Sequence, residues 1–211
     1  MSLDKRPIAG DWMLPALQAR SQQKRDLLLT TGLELIETVP YAKLNIADIA
    51  ATAGCSVGTF YRRFPDKQSF LFTLQDLANR EFLGRLQTEL PKEASPSETV
   101  SRAVSLLVED RRRRRGLATA SLRLAATNGG DWMPFYEAAI GFDRLLQSRV
   151  AHHVAGSGSW QKAFEISFAT QAMYGILNQT TLIRGGAVLL EDDALIMHLT
   201  RMCVCYLGIS T

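Results

Sequence analysis

Residues 45–67 read NIADIAATAGCSVGTFYRRFPDK, and the second half of this stretch holds the residue types that recognise a nucleic acid. The guanidinium forks of Arg62 and Arg63 match phosphate oxygens or the O6/N7 edge of guanine. Thr59 and Tyr61 offer contacts to the sugar-phosphate backbone and to a thymine methyl. The spacing predicts a short helix over 57–64. Phe60 and Phe64, four residues apart, then turn inward, while Val57, Gly58, Thr59, Tyr61, Arg62 and Arg63 face outward. Gly58 weakens a helix, but it removes a side chain where another surface approaches. Lys67 falls in the first turn of the following helix, where a cation opposes the macrodipole. A phosphate close by gives that placement a purpose.

A helix of this length needs a frame. Asn45 is a good N-cap for a preceding helix, and Asp48 is spaced to return a hydrogen bond to it. Ile46, Ile49, Ala50 and Ala53 form one apolar face at i, i+3, i+4, i+7. Gly54 supplies a left-handed helix end, and Ser56 caps the next helix. The small residues Ala50, Ala51 and Ala53 let two helices cross closely, as in a helix-turn-helix. Pro65 closes the second helix, and Asp66 is placed to cap the third.

With a long helix before it, the run IADIAATAGCSVGTFYRRFPDKQSF resembles the DNA-binding domain of TetR-family transcriptional regulators. The matching features are IADIA, AG, S-x-G-T-F-Y, the aromatic Phe64 and the Asp66-Lys67 pair beyond it. Cys55 stands where the family usually has Val, and Arg63 where His or Tyr is frequent. The resemblance implies phosphate contacts from Asn45, Ser56, Tyr61 and Lys67. It also implies a two-fold dimer on double-stranded operator DNA and a small-molecule pocket in a C-terminal domain.

Other chemistries fit poorly. His152 and His153 are adjacent and diverge on a helix, and His198 stands alone, so no metal site is expected. The GSGSW segment is not preceded by a strand, unlike a phosphate-cradling loop, and nothing marks a nucleophile. No enzyme activity and no cofactor are expected. A hydrophobic content of 46% with 21% charged residues is that of a soluble globular chain. A net charge of +3 suits a small DNA-reading face on a near-neutral body. The three cysteines do not suggest a disulfide framework. With no secretory leader or membrane-spanning run in the sequence, a cytoplasmic protein without membrane contact is expected.

The hydrophobic pattern is helical throughout, predicting an all-α fold. Residues 1–19 form a tail, 20–66 the helix-turn-helix domain, 67–90 a connecting helix, and 91–211 a ligand-binding and dimerisation domain. In that last part, helices are expected at 97–113, 116–127, 131–155, 160–184 and 192–208. Arg111 to Arg115 point all round a helix and read first as solvated charge at a helix C-terminus, with a second phosphate or anion contact as the alternative. The helix over 160–184 is apolar almost all round and needs burial on more than one side. Paired with 192–208, it reads as half of a four-helix dimer interface, with Ile176, Thr180, Ile183, Leu199, Met202, Cys203 and Tyr206 as the facing residues.

Phe82, Leu107, Trp132, Phe135, Tyr136, Gln171, Tyr174 and Asn178 are the candidate lining of the implied pocket, and their mixture suits an apolar or aromatic effector held by a few polar groups. Arg123 or Arg184 facing it would favour an anion. The expected function is a homodimeric repressor that binds a palindromic operator and leaves it on binding a small molecule. An activator or co-repressor-dependent regulator of the same fold is the near alternative. A helical small-molecule carrier or interaction module without DNA binding is the distant one.

Overall fold

The computed structural model describes residues 19–90, 93–127, 133–154, 158–183 and 185–209. Among them every regular element is an α-helix: α1 (Ala19–Thr38), α2 (Ile46–Thr52), α3 (Val57–Tyr61), α4 (Lys67–Glu89), α5 (Pro96–Arg113), α6 (Arg115–Thr127), α7 (Met133–Val150), α8 (Ser159–Leu182) and α9 (Leu195–Tyr206). The expected helix boundaries hold within a few residues, except that the helix expected to reach residue 155 stops at Val150 and continues as turns. The tail expected at 1–19 lies almost wholly outside the described residues. The chain forms two compact units that divide inside α4, between Ala78 and Asn79.

The first unit is built on three aromatic rings. Phe60, Phe64 and Phe70 are buried with centroids 4.8–5.2 Å apart, in tilted and edge-on arrangements. Leu28, Ile36, Ile49, Leu71 and Leu74 complete this core. Gly32 of α1 lies so close to Phe70 that a Cβ there would collide with the ring. The roof helix therefore reaches the α3–α4 corner only because that position has no side chain.

In the second unit, α5, α7, α8 and α9 pack around Val104, Leu107, Phe142, Leu146, Ile166, Met173, Leu177 and Leu199. Phe82 and Leu86 of α4 join the same core. Helix α5 starts on a full capping box, with Ser95 Oγ accepting from the Glu98 amide and the Glu98 carboxylate accepting from the Ser95 amide at 2.8 Å. Glu89 ties α4 to α5 by accepting from Arg85 at 2.7 Å and Arg102 at 2.6 Å.

The five consecutive arginines do not form the solvated run expected of them. Helix α5 ends at Arg113 and α6 begins at Arg115, so the chain turns a corner within the run and sends the side chains different ways. Arg111 is buried, Arg112 donates to the carbonyls of Leu190 and Asp192 at 2.8 Å each, and Arg114 pairs with Glu81 and Asp110. Arg115 pairs with Glu191 and donates to the Thr180 carbonyl at 3.3 Å, in the last turn of α8. Arg113, whose side chain is 53% exposed, comes nearest to the expectation. The run binds the α8–α9 connection to the α5–α6 corner.

Of the three cysteines, Cys203 is buried, Cys55 half-buried and Cys205 exposed. Burial pushes the Cys203 thiol up to about 12. No described helix is long and apolar enough to cross a membrane.

Candidate nucleic-acid interface and effector core

The candidate nucleic-acid face is held at each helix end. Asn45 Oδ1 accepts from the Asp48 amide at 2.8 Å, and its side-chain amide donates back to the Asp48 carboxylate. Gly54 takes φ +64°, the left-handed conformation that glycine adopts without penalty, and turns the chain from α2 to α3. Ser56 Oγ accepts from the Thr59 amide at 3.2 Å, fixing the first turn of α3. Asp66 Oδ1 accepts from the Ser69 amide at 2.6 Å at the start of α4.

These caps leave Val57, Gly58, Tyr61 and Arg62 exposed along α3, with Arg63 half-buried just beyond it. A Cβ built on Gly58 meets only the Ser56 hydroxyl, at 3.8 Å, so the surface there is open. Thr59 departs from the expected outward position and is buried. Its hydroxyl is engaged with Ser56 at 3.0 Å and with Arg62 Nη2 at 3.1 Å. Thr59 thus orients Arg62 from behind. The reason is helical phase: Thr59 adjoins Phe60, and the shallow face of so short a helix buries both.

Tyr41 is a further residue of this face that the sequence did not single out. Lys67 Nζ sits over its ring, 4.3 Å from the centroid. Burial, with Asp66 nearby, pushes the Tyr41 hydroxyl up to about 12, and burial lowers Lys67 from its ordinary value. A cation held against an aromatic face and short of full hydration is well placed to meet an anion. The Tyr-x-x-Leu spacing in the α1–α2 link was the available signal, but it reads equally well as a plain connector.

The expected effector residues separate into groups. Phe82, Leu107 and Tyr174 lie in the core of the second unit, where Phe142 stacks near-parallel to Phe82 at 6.3 Å and edge-on to Tyr174 at 6.1 Å. Asn178 is half-buried one turn beyond Tyr174 and accepts from buried Arg111 at 3.0 Å. Gln171 is exposed, although it stands one turn before Tyr174 and two before Asn178, and Tyr136 is 41% exposed, so neither is part of that buried core. Trp132 and the Phe135 side chain lie outside the described residues, as does Arg184, whereas Arg123 is exposed. An open groove of about 570 Å³ is lined by Glu89, Glu93, Glu98 and Arg102, and none of the expected residues belongs to it.

The expected interface residues also divide. Thr180, Leu199 and Cys203 are buried in the chain's own core, and Ile176 and Met202 pack against it, so these five turn inward. Ile183 and Tyr206 face outward. The outer row of α8 is instead Trp160, Phe164, Phe168, Gly175 and Leu182, spaced by multiples of a turn. Trp160 stacks on Phe164 at 5.6 Å, and Phe168 meets Tyr206 of α9 at 5.4 Å. Because α8 is apolar on every side, periodicity alone could not say which row is the outer one.

Among the described residues no group of three or more His, Cys, Asp or Glu could hold a metal ion.

Residues 28–74 match the family model described as bacterial regulatory proteins, tetR family. The chain is 23% identical over 158 residues to the fatty acid metabolism regulator protein of Bacillus subtilis, covering 72% of this chain and 79% of that protein. It is 32% identical over 80 residues to the HTH-type transcriptional regulator EthR of Mycolicibacterium smegmatis, 37% of each chain. Among solved structures, the transcriptional regulator FadR from Bacillus subtilis, in complex with stearoyl-CoA, superposes with a TM-score of 0.64 at 17% identity, covering 88% of this chain and all of that one. A TetR transcriptional regulator from Rhodococcus sp. RHA1 gives 0.60 at 19% identity, with 88% and 96% covered. At these identities the structural likeness speaks for the fold.

Proposed function

We propose, from a chain whose residues 28–74 match the tetR family of bacterial regulatory proteins, a homodimeric repressor that binds a palindromic operator and is released by a small molecule. The observation that carries the DNA half is the capped α3, which presents Val57, Gly58, Tyr61 and Arg62 to solvent. Arg62 and Arg63 read guanine edges or phosphate, while Asn45, Ser56, Tyr61 and Lys67 hold the backbone. Thr59 aims Arg62. One such helix spans too few base pairs for specificity, and a dyad supplies the second half-site about one helical turn away.

The row Trp160, Phe164, Phe168 and Leu182, with Ile183 and Tyr206, supports the dimer. It is an exposed apolar strip on two long helices, of the kind that a second copy covers. Gly175 lies within the row with open space beside it, which permits close helix approach. The effector site is the core around Phe82, Leu107, Phe142 and Tyr174. Helix α4 runs without interruption from Lys67, on the DNA-reading side, to the end that carries Phe82 and Leu86. An effector that alters the seat of Phe82 acts on the helix that begins at Lys67, the proposed route of coupling. Its proposed place of work is the cytoplasm, and it catalyses no reaction.

Fluorescence anisotropy on the DNA flanking its own gene, against scrambled DNA, tests this reading. Expected is tight binding to one palindrome with a specificity ratio of about a thousand or more. Arg62→Ala/Arg63→Ala is expected to abolish it with the dimer intact, each lost base contact weakening binding roughly 5- to 100-fold. Sequence-blind binding that fades with salt and is rescued by no ligand would remove the repressor reading.

A further inference from the structure

In the effector core one buried cation meets one buried hydroxyl that lacks a partner. Arg111 of α5 is 7% exposed, and its guanidinium carbon lies 6.0 Å from the centroid of the Tyr174 ring. Its Nη1 donates to Asn178 Oδ1, which leaves the Asn178 amide nitrogen as a further donor. The Tyr174 hydroxyl is fully enclosed and makes no hydrogen bond. Tyr174 and Asn178 stand four residues apart on one face of α8 and so address the same region.

We propose that Arg111, Tyr174 and Asn178 form the anchoring end of the effector site and that the effector is a carboxylate on an apolar body. This rests on the effector reading above and specifies its chemistry.

Three physical points converge on a carboxylate. First, the polar groups gathered here act as donors: a guanidinium, a phenol and an amide nitrogen. An acceptor with two oxygens satisfies them together, and the hydroxyl gains the bond that enclosure otherwise denies it. Second, the surroundings disfavour the cation on balance. Burial lowers Arg111 from its ordinary value, although Asp110 and the Tyr174 oxygen act the other way. An entering anion offsets the desolvation of the guanidinium. Third, the surrounding core is apolar: Phe142 meets the Tyr174 ring edge-on at 6.1 Å and stacks on Phe82, and Leu107 belongs to the same cluster. A monoanion brings one charge to one cation, whereas a phosphate dianion would leave excess charge against three apolar side chains. The aliphatic or aromatic body of the ligand takes its place among these apolar side chains.

The test uses the full-length protein and five probes: decanoate, 4-phenylbutyrate, 1-decanol, decanamide and decanoyl-CoA. Binding is read by calorimetry and by the shift in melting temperature. Expected is that at least one carboxylate binds about tenfold or more tighter than the neutral decyl compounds, a ratio typical of a charged hydrogen-bonded anchor. Tyr174→Phe is expected to weaken that carboxylate about tenfold and to leave the ligand-free melting temperature unchanged or raised, because an enclosed unpaired hydroxyl is removed. Arg111→Met should remove the preference for the carboxylate, and if it fails to fold, Tyr174→Phe decides alone.

Equal binding of charged and neutral probes, or none by any probe, overturns the proposal. So does decanoyl-CoA binding that exceeds decanoate and ignores Tyr174→Phe, or a fall of several degrees in the ligand-free melting temperature of that variant. The DNA assay separates the two readings. Operator release by decanol alone keeps the regulator and sinks the carboxylate anchor. Carboxylate anchoring in a protein indifferent to its flanking DNA does the reverse.

Discussion

Single side chains in this protein often act through a neighbour. Lys67 is steered by the ring of Tyr41, and Arg62 by the hydroxyl of Thr59. Tyr41→Leu should therefore weaken operator binding several-fold with the fold intact, because a cation–π contact of about 0.5–2 kcal/mol no longer holds the ammonium in place. Lys67→Ala should lower the slope of log affinity against log salt by about one, as expected for one phosphate contact. Asp143 gives a prediction in pH. It is half-buried between α7 and α8, where Gln147 at 2.8 Å and Ser167 at 3.0 Å both donate to Oδ2. Burial raises its carboxyl above the usual value of 3.8, against the pull of those two bonds. A carboxyl whose folded value is raised contributes stability below its unfolded value and loses it as pH rises through the folded one. Asp143→Asn, with its oxygen in the Oδ2 place, should melt like the parent near pH 3.5 and no lower than it at pH 7. A variant that melts lower at pH 7 would show that the ionised carboxylate stabilises the fold.

At the scale of elements, the head was legible because its signals are local. A cap, a left-handed glycine and a second cap lie within twelve residues, and each fixes backbone directly, so Asn45, Gly54 and Ser56 could be read from type and spacing. The same logic makes Ser56→Ala costly, by about 1 kcal/mol in urea unfolding. Thr59 could not be placed this way. A five-residue helix has no second turn to define its phase, and the packing of α1 and α4 decides which side is in. Gly32 shows the same dependence on tertiary contact. With Phe70 wedged between Phe60 and Phe64, Gly32→Ala should destabilise the head by about 1–3 kcal/mol through overpacking, although alanine is the better helix former. The arginine run escaped sequence reading because partners such as Asn178, Leu190 and Glu191 lie more than sixty residues away.

For the molecule as a whole, the all-helical order of parts followed from the 3.6-residue period, but the outer face of α8 did not. A helix with Met173 and Leu177 on one side and Phe164 and Phe168 on the other offers two apolar rows, and only the packed core shows which is spent inside. That row gives the assembly its test. Phe168→Asp should yield monomers by light scattering with helical content retained, and it should weaken operator binding by losing the second half-site. Ile176→Asp, by contrast, should damage folding, since that residue packs on the core.

The unequal burial of the three thiols makes the chain an instrument for watching itself. Cys203 is enclosed and resists deprotonation, so alkylating reagents are left with Cys55 beside α3 and Cys205 on α9. One substitution, Cys205→Ser, leaves a single reactive position in the chain, two residues before α3. A nitroxide attached there would turn the proposed dimer into a molecular ruler. Pulsed electron resonance could then follow the spacing of the two reading heads, with and without decanoate, free in solution.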